Sequence, residues 1–219
     1  MPLYIGSRLA LLVPPPVAAV VLGSPAFINE AHNANTTVSL SVNKPASTVD
    51  GNLMVMVLWV DRTTSAITPP GGWNLINTQT FGSTLHNTYY KVASGEGASY
   101  SIGSSPSSFM AAGIASFSGT DTVSPLQTSS VNTNTSGTAT GTGITTTNDN
   151  TLLVMTSATT GTRNYTASTL TERIDDGASI GLFSDMQTTA GASGNKTATI
   201  SSSATWAAQL IAFKPSGGV

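Results

Sequence analysis

Asp50-Gly51-Asn52-Leu53-Met54-Val55-Met56-Val57-Leu58-Trp59-Val60 decides how the rest of the chain is read. An Asp-Gly turn signature opens onto eight apolar residues without a break. A sandwich strand with one wet face alternates apolar and polar residues. An unbroken run therefore predicts a strand covered on both faces. Downstream, Thr68-Pro69-Pro70-Gly71-Gly72-Trp73 reads as a turn. Tyr89-Tyr90-Lys91, the stretch 98–102 and the stretch from Met110 to Asp121 read as further strands. Upstream, Ala26 to Ala31 reads as a short first strand. Thr36 to Val42 alternates and reads as a separate strand buried on one side.

The 219 residues suffice for one large β domain or two small ones. Only 8% of them are charged, against roughly a quarter in ordinary domains, and Thr and Ser take the missing places. Thr is β-branched and suits a half-buried pleated surface. No window sustains an apolar period of 3.6, so almost no helix is expected. A net charge of −2, with no basic run interleaved with aromatics, argues against a nucleic-acid surface. With no cysteine there is neither a disulfide framework nor a thiolate metal site.

The chain echoes itself. Asp149-Asn150-Thr151-Leu152-Leu153-Val154-Met155 repeats the pattern of 50–56, and Trp206 to Phe213 that of Met110 to Phe117, at offsets of 99 and 96 residues. The expected fold is all-β: a two-sheet antiparallel sandwich of jelly-roll type, built from two diverged halves of about 25–126 and 127–215. The alternative is two separate sandwiches. Each would then have to bury a core with about ninety residues, and the second half is poor in large apolar side chains. The join from Gln127 to Thr147 is Thr-, Ser-, Asn- and Gly-rich. It reads either as a loop or as exposed strand.

Residues 1–24 stand apart from the sandwich domain at 25–219. They carry Leu3, Tyr4, Ile5, Leu9, Leu11, Leu12, Val13, Val17, Val20, Val21 and Leu22 around Pro14-Pro15-Pro16. The prolines would break the helical core of a secretory leader, and the run is too short and interrupted to span a bilayer. A retained, extended amino-terminal arm is expected, lying on its own domain or on a neighbouring subunit. The eleven named side chains are the candidate partner-binding residues. The arm is also one candidate cover for the strand at 53–60.

Candidate chemistry is sparse. His32 and His86 are far apart, and neither is expected to find a carboxylate partner. No Gly-x-Ser-x-Gly elbow, dinucleotide fingerprint or phosphate loop occurs. Asp175-Asp176-Gly177 reads as a turn. Asp175, Asp176 and Asp185, or Asp149 with Asn148 and Asn150, could offer oxygen ligands to calcium, and their simpler role is in turns. Trp59 and Trp206 sit within apolar strands and are expected in the core, with Trp73 packed down as a plug. Tyr89 and Tyr90 point to opposite faces, so one of them is expected to be exposed. No catalytic residue, cofactor or metal is expected.

The motifs at 50–55, 68–73, 89–93, 112–121 and Trp206 to Pro215 together resemble a repeat-containing β-sandwich family. Its members are bacteriophage virion proteins, decorating capsids or associated with tails, and bacterial extracellular proteins. The resemblance spans about residues 25–215 and leaves the arm outside. It implies a virion structural protein at the capsid surface, a decoration or cement protein, whose partners are the major capsid protein or other virion subunits and further copies of itself. No nucleic acid or membrane partner is implied. A tail-fibre, receptor-binding or carbohydrate-binding adhesin module is the alternative.

Overall fold

A computed structural model describes residues 21–177 and 179–218, and no helix occurs among them. The first half supplies β1 (Ala26–Asn43), β2 (Leu53–Val60), β3 (Ala66–Thr68), β4 (Asn74–Phe81), β5 (Thr84–Val92) and β6 (Ser99–Ser118). The second supplies β7 (Leu126–Gly141), β8 (Thr145–Thr146), β9 (Thr151–Thr159), β10 (Tyr165–Ser168), β11 (Thr171–Asp175), β12 (Ile180–Gln187), β13 (Gly191–Ala192) and β14 (Lys196–Phe213).

Each half forms one six-stranded antiparallel sheet, and the two large sheets pack as a sandwich. The first is ordered β1-β6-β2-β5-β4, with β3 also on β6. In the second, β7 and β10 both pair with β14, which continues to β9, β12 and β11. The pairing is therefore the same in both halves. The registers agree too: Leu53 lies opposite Phe117, and Leu152 opposite Phe213. Local devices recur with them. Asp50 accepts from the Gly95 N–H at 2.8 Å, and Asp149 from the Ala190 N–H at 2.7 Å. The following residue, Gly51 or Asn150, has a positive φ of 85° or 54°. Gly and Asn tolerate that left-handed backbone at little cost.

The unbroken apolar run of β2 is covered on both faces, by two different cores. Leu53, Val55, Val57 and Trp59 point between the sheets, where they meet Leu152, Val154, Ile180, Leu182, Ile211 and Phe213. Met54, Met56, Leu58 and Val60 point the other way, onto Leu40, Val42, Tyr100 and Ile102. The cover is therefore the chain's own β1 and β6. With all eight side chains of β2 at most 4% exposed, the strand offers no adhesive surface to the arm. The second half repeats the plan with a core of its own around Leu153, Met155, Phe183, Trp206 and Leu210.

Long strands that turn over make this possible. The two expected strands at 26–31 and 36–42 are one, β1, which pairs first with residues 108–118 and then with 99–103 of β6. Asn33 donates its Nδ2 to the Ser41 carbonyl at 2.8 Å. In a straight strand these residues would stand about 26 Å apart, at roughly 3.3 Å per residue. The chain therefore doubles back near Thr37–Ser39, where the register shifts. Asn132 and the Thr140 carbonyl make the same clasp in β7, at 3.1 Å. The polar join is thus strand and not loop. Its Thr and Ser residues suit a pleated edge, and its clasps use the side-chain amides that made it look irregular.

Because the core between the sheets is shared, the halves are expected to unfold together. Leu58→Ala and Leu210→Ala, one in each half's own core, should each cost about 2–5 kcal/mol and shift one common urea transition. Two separable transitions followed by tryptophan fluorescence would show independent halves.

Candidate functional site

Of the eleven candidate partner-binding residues, Leu3, Tyr4, Ile5, Leu9, Leu11, Leu12, Val13, Val17 and Val20 lie outside the described residues. Val21 is 89% exposed and Leu22 is half-buried. The chain is tied down from Gly23 onward, whose N–H donates to the Ser216 carbonyl at 2.7 Å. Ser216 in turn donates to Gly119, and Asp121 to Lys214. The first described residues thus lie beside the 119–125 connection between the halves. Val123 of that connection is 92% exposed. Asp121 accepts from the Ser124 and Val123 N–H groups, which hold its carboxyl below the ordinary range. The connection is therefore held in place beside Gly23.

His32 does find a carboxylate. Glu30 lies two residues away on the same face of β1, and its Oε2 is 2.9 Å from His32 Nδ1. The i, i+2 spacing on a strand was the available signal. The pair is partly exposed and is an ordinary surface contact. His86 is fully buried between the sheets. Its Nε2 lies 3.4 Å from the Thr88 hydroxyl, which is 2.9 Å from the hydroxyl of Thr156 in the other half. Gln209, beside Thr156 in the register, is also fully buried, and neither its amide oxygen nor its nitrogen has a partner among the described residues. A polar row thus crosses the central core.

The acidic candidates are engaged by neighbouring hydrogen-bond donors, in turns for Asp175 and Asp176 and across the β11–β12 pair for Asp185. Asp175 accepts from the Tyr165 and Gly177 N–H groups, and Asp176 from those of Ser179 and Ile180. Asp185 accepts from Thr171. Among the described residues, no three His, Cys, Asp or Glu side chains gather where they could hold a metal ion.

The aromatics divide between core and cleft. Trp59 and Trp206 are buried in their strands. Neither tyrosine of β5 is fully exposed: Tyr89 is 4% exposed, and Tyr90 is half-buried, edge-on to Phe213 across the sandwich at 5.9 Å. Trp73 is 8% exposed and edge-on to Tyr100 at 5.2 Å. Tyr100 donates to Glu96, which also pairs with Lys91 at 2.8 Å. Burial and the bond to Glu96 push the Tyr100 hydroxyl well above its ordinary range. The knot fixes the Pro69-to-Trp73 turn against the domain. Beside it opens a cleft of about 440 Å³, lined by Thr63, Ser65, Ile67, Pro69, Trp73, Leu75, Thr78, Leu85, Asn87 and Tyr89. Trp73 and Tyr89 stand out in the sequence and Asn87 does not, because neighbours along the chain are no guide to neighbours across strands.

Comparison of the chain with protein-family models, with curated proteins and with solved structures returned no match.

Burial holds His86 neutral, lowering its pKa to about 3. An unfolded histidine takes up its proton near pH 6.5. Between those values the unfolded chain binds the extra proton, so stability falls as pH drops, by up to about 1.4 kcal/mol per pH unit. His86→Gln should flatten this part of the urea-midpoint profile between pH 7 and pH 4. An unchanged slope would assign the acid sensitivity to other groups.

Proposed function

We propose that this chain is a bacteriophage virion structural protein, a capsid decoration or cement protein that stabilises the shell through its sandwich and its amino-terminal arm. The observation that carries the reading is a pair of long edge strands. β1 and β7 have 18 and 16 residues, and among the described residues each pairs along one side only. Their only titratable side chains are Glu30 and His32, and neither strand contains Lys or Pro. Edges are ordinarily blunted by shortness, charge or proline, because free N–H and C=O groups recruit another strand. Long, nearly uncharged edges suit a protein whose neighbours are fixed in an assembly. The sequence resemblance to virion sandwiches supports the same reading.

The arm supplies the second contact. Its Leu, Ile and Val side chains contribute about 1.5–3 kcal/mol each when fully buried on a neighbour, and ordering the backbone offsets part of that. Triple proline favours a stiff extended path, which limits the entropic cost. The partners are the major capsid protein or other virion subunits, together with further copies of this chain. Its place is the capsid surface of the extracellular particle.

Removing residues 1–20 leaves the Gly23 anchor intact. The truncated protein should fold and stay soluble, yet be missing from particles assembled in its presence, as read by quantitative mass spectrometry of purified virions. The full-length chain should be present in proportion to the major capsid protein. Normal incorporation of the truncated form would remove the arm from the mechanism, and a copy number typical of a tail part would move the protein off the shell.

A further inference from the structure

We propose that the cleft bounded by Trp73, Asn87 and Tyr89 is a binding site for a neutral saccharide. The two halves pair alike but differ here. Asn87 lies opposite Leu58 on β2, and Gly181 opposite Ser157 on β9. Positions 58 and 157 are 99 residues apart, the offset at which the echo of 50–56 recurs. In the second half the ring of Tyr165 packs over Gly181, where a Cβ would meet its Cε2 at 2.7 Å. The Tyr165 hydroxyl donates to Ser157 Oγ at 2.9 Å, and the ring stands edge-on to Phe183. That half closes the mouth of its own core with an aromatic side chain. In the first half Asn87 takes the place of Gly181, and the mouth stays open. Its volume of about 440 Å³ lies within the range of about 300–1,000 Å³ typical of small-molecule sites.

The lining decides what fits. No charged side chain contributes to it, so no ion pair is offered to a phosphate or carboxylate. Leu75, 53% exposed, together with the small uncovered parts of Trp73 and Tyr89, offers an apolar floor such as the C–H face of a pyranose would cover. Asn87, Thr63 and Thr78 offer amide and hydroxyl groups for the sugar's hydroxyls. Asn87 is 4% exposed and gives its Nδ2 to the Tyr89 hydroxyl at 3.2 Å, while its Oδ1 has no partner among the described residues. Trp73 Nε1 has none either. One acceptor and one donor, both buried in side chains that line the same cleft, match the dual character of a sugar hydroxyl entering it. The inference is independent of the protein's place in a virion.

Saturation-transfer NMR on the full-length protein tests it, with glucose, galactose, rhamnose and N-acetylglucosamine at millimolar concentration as probes and phenol as an apolar control. At least one sugar should receive saturation. Thr78, exposed and directly opposite Asn87, can be made bulky without entering the core. Thr78→Trp should abolish the transfer, and Asn87→Ala should weaken binding about tenfold, the effect of one lost hydrogen bond. If Asn87→Ala fails to fold, Thr78→Trp decides alone. Transfer to no sugar, transfer to phenol only, or transfer unchanged by Thr78→Trp would each overturn the proposal.

Discussion

Burial of β2 on both faces is the constraint from which the architecture follows. A single sheet can turn one face of a strand inward, so the second face needs a second layer. The chain provides it by doubling β1 and β6 back over the sheet, and β7 and β14 do the same over β9. Three cores result: one between the sheets and one behind each. Met54, Met56 and Leu58 belong to a different core from Val55, Val57 and Trp59, although they alternate along one strand. A polar residue at any of these positions would be stranded in a dry environment, at a cost of kilocalories.

The central core is not wholly apolar. Thr88 and Thr156 join the two sheets by their hydroxyls, with His86 and Gln209 alongside. Such a row stabilises less than packed leucines would, since buried polar groups lose their water. What it supplies is alignment: two sheets faced only with aliphatic side chains could slide, whereas two hydroxyls at 2.9 Å fix one register of face on face.

Much of the fold was legible in sequence, because the run at 53–60 has no polar member and so admits only a doubly covered strand. The limits of β1 were not legible. His32 to Asn35 carry little apolar signal, and the strand is held there by pairing to β6. β7 was equally opaque, since Thr- and Ser-rich segments form strands or loops according to what lies beside them. The partner-binding candidates were read from apolar character alone, and only Val21 and Leu22 fall among the described residues. The cleft was half visible. Its aromatics stood out, but Asn87 gains meaning only from standing where the second half has Gly181.

Drawing each sheet from one half of the chain has a consequence for the ribosome. Residues 26–118 can complete their sheet and their private core as soon as they emerge, since every partner is already present. The face destined for the shared core then waits for residues 126–213. At about 5–20 residues per second, that interval is on the order of ten seconds. Throughout it Leu53, Val55, Val57 and Trp59 face water, in a chain with few charges to keep neighbouring nascent copies apart. His86 and Thr88, on the same face, make it less uniformly adhesive during that exposure.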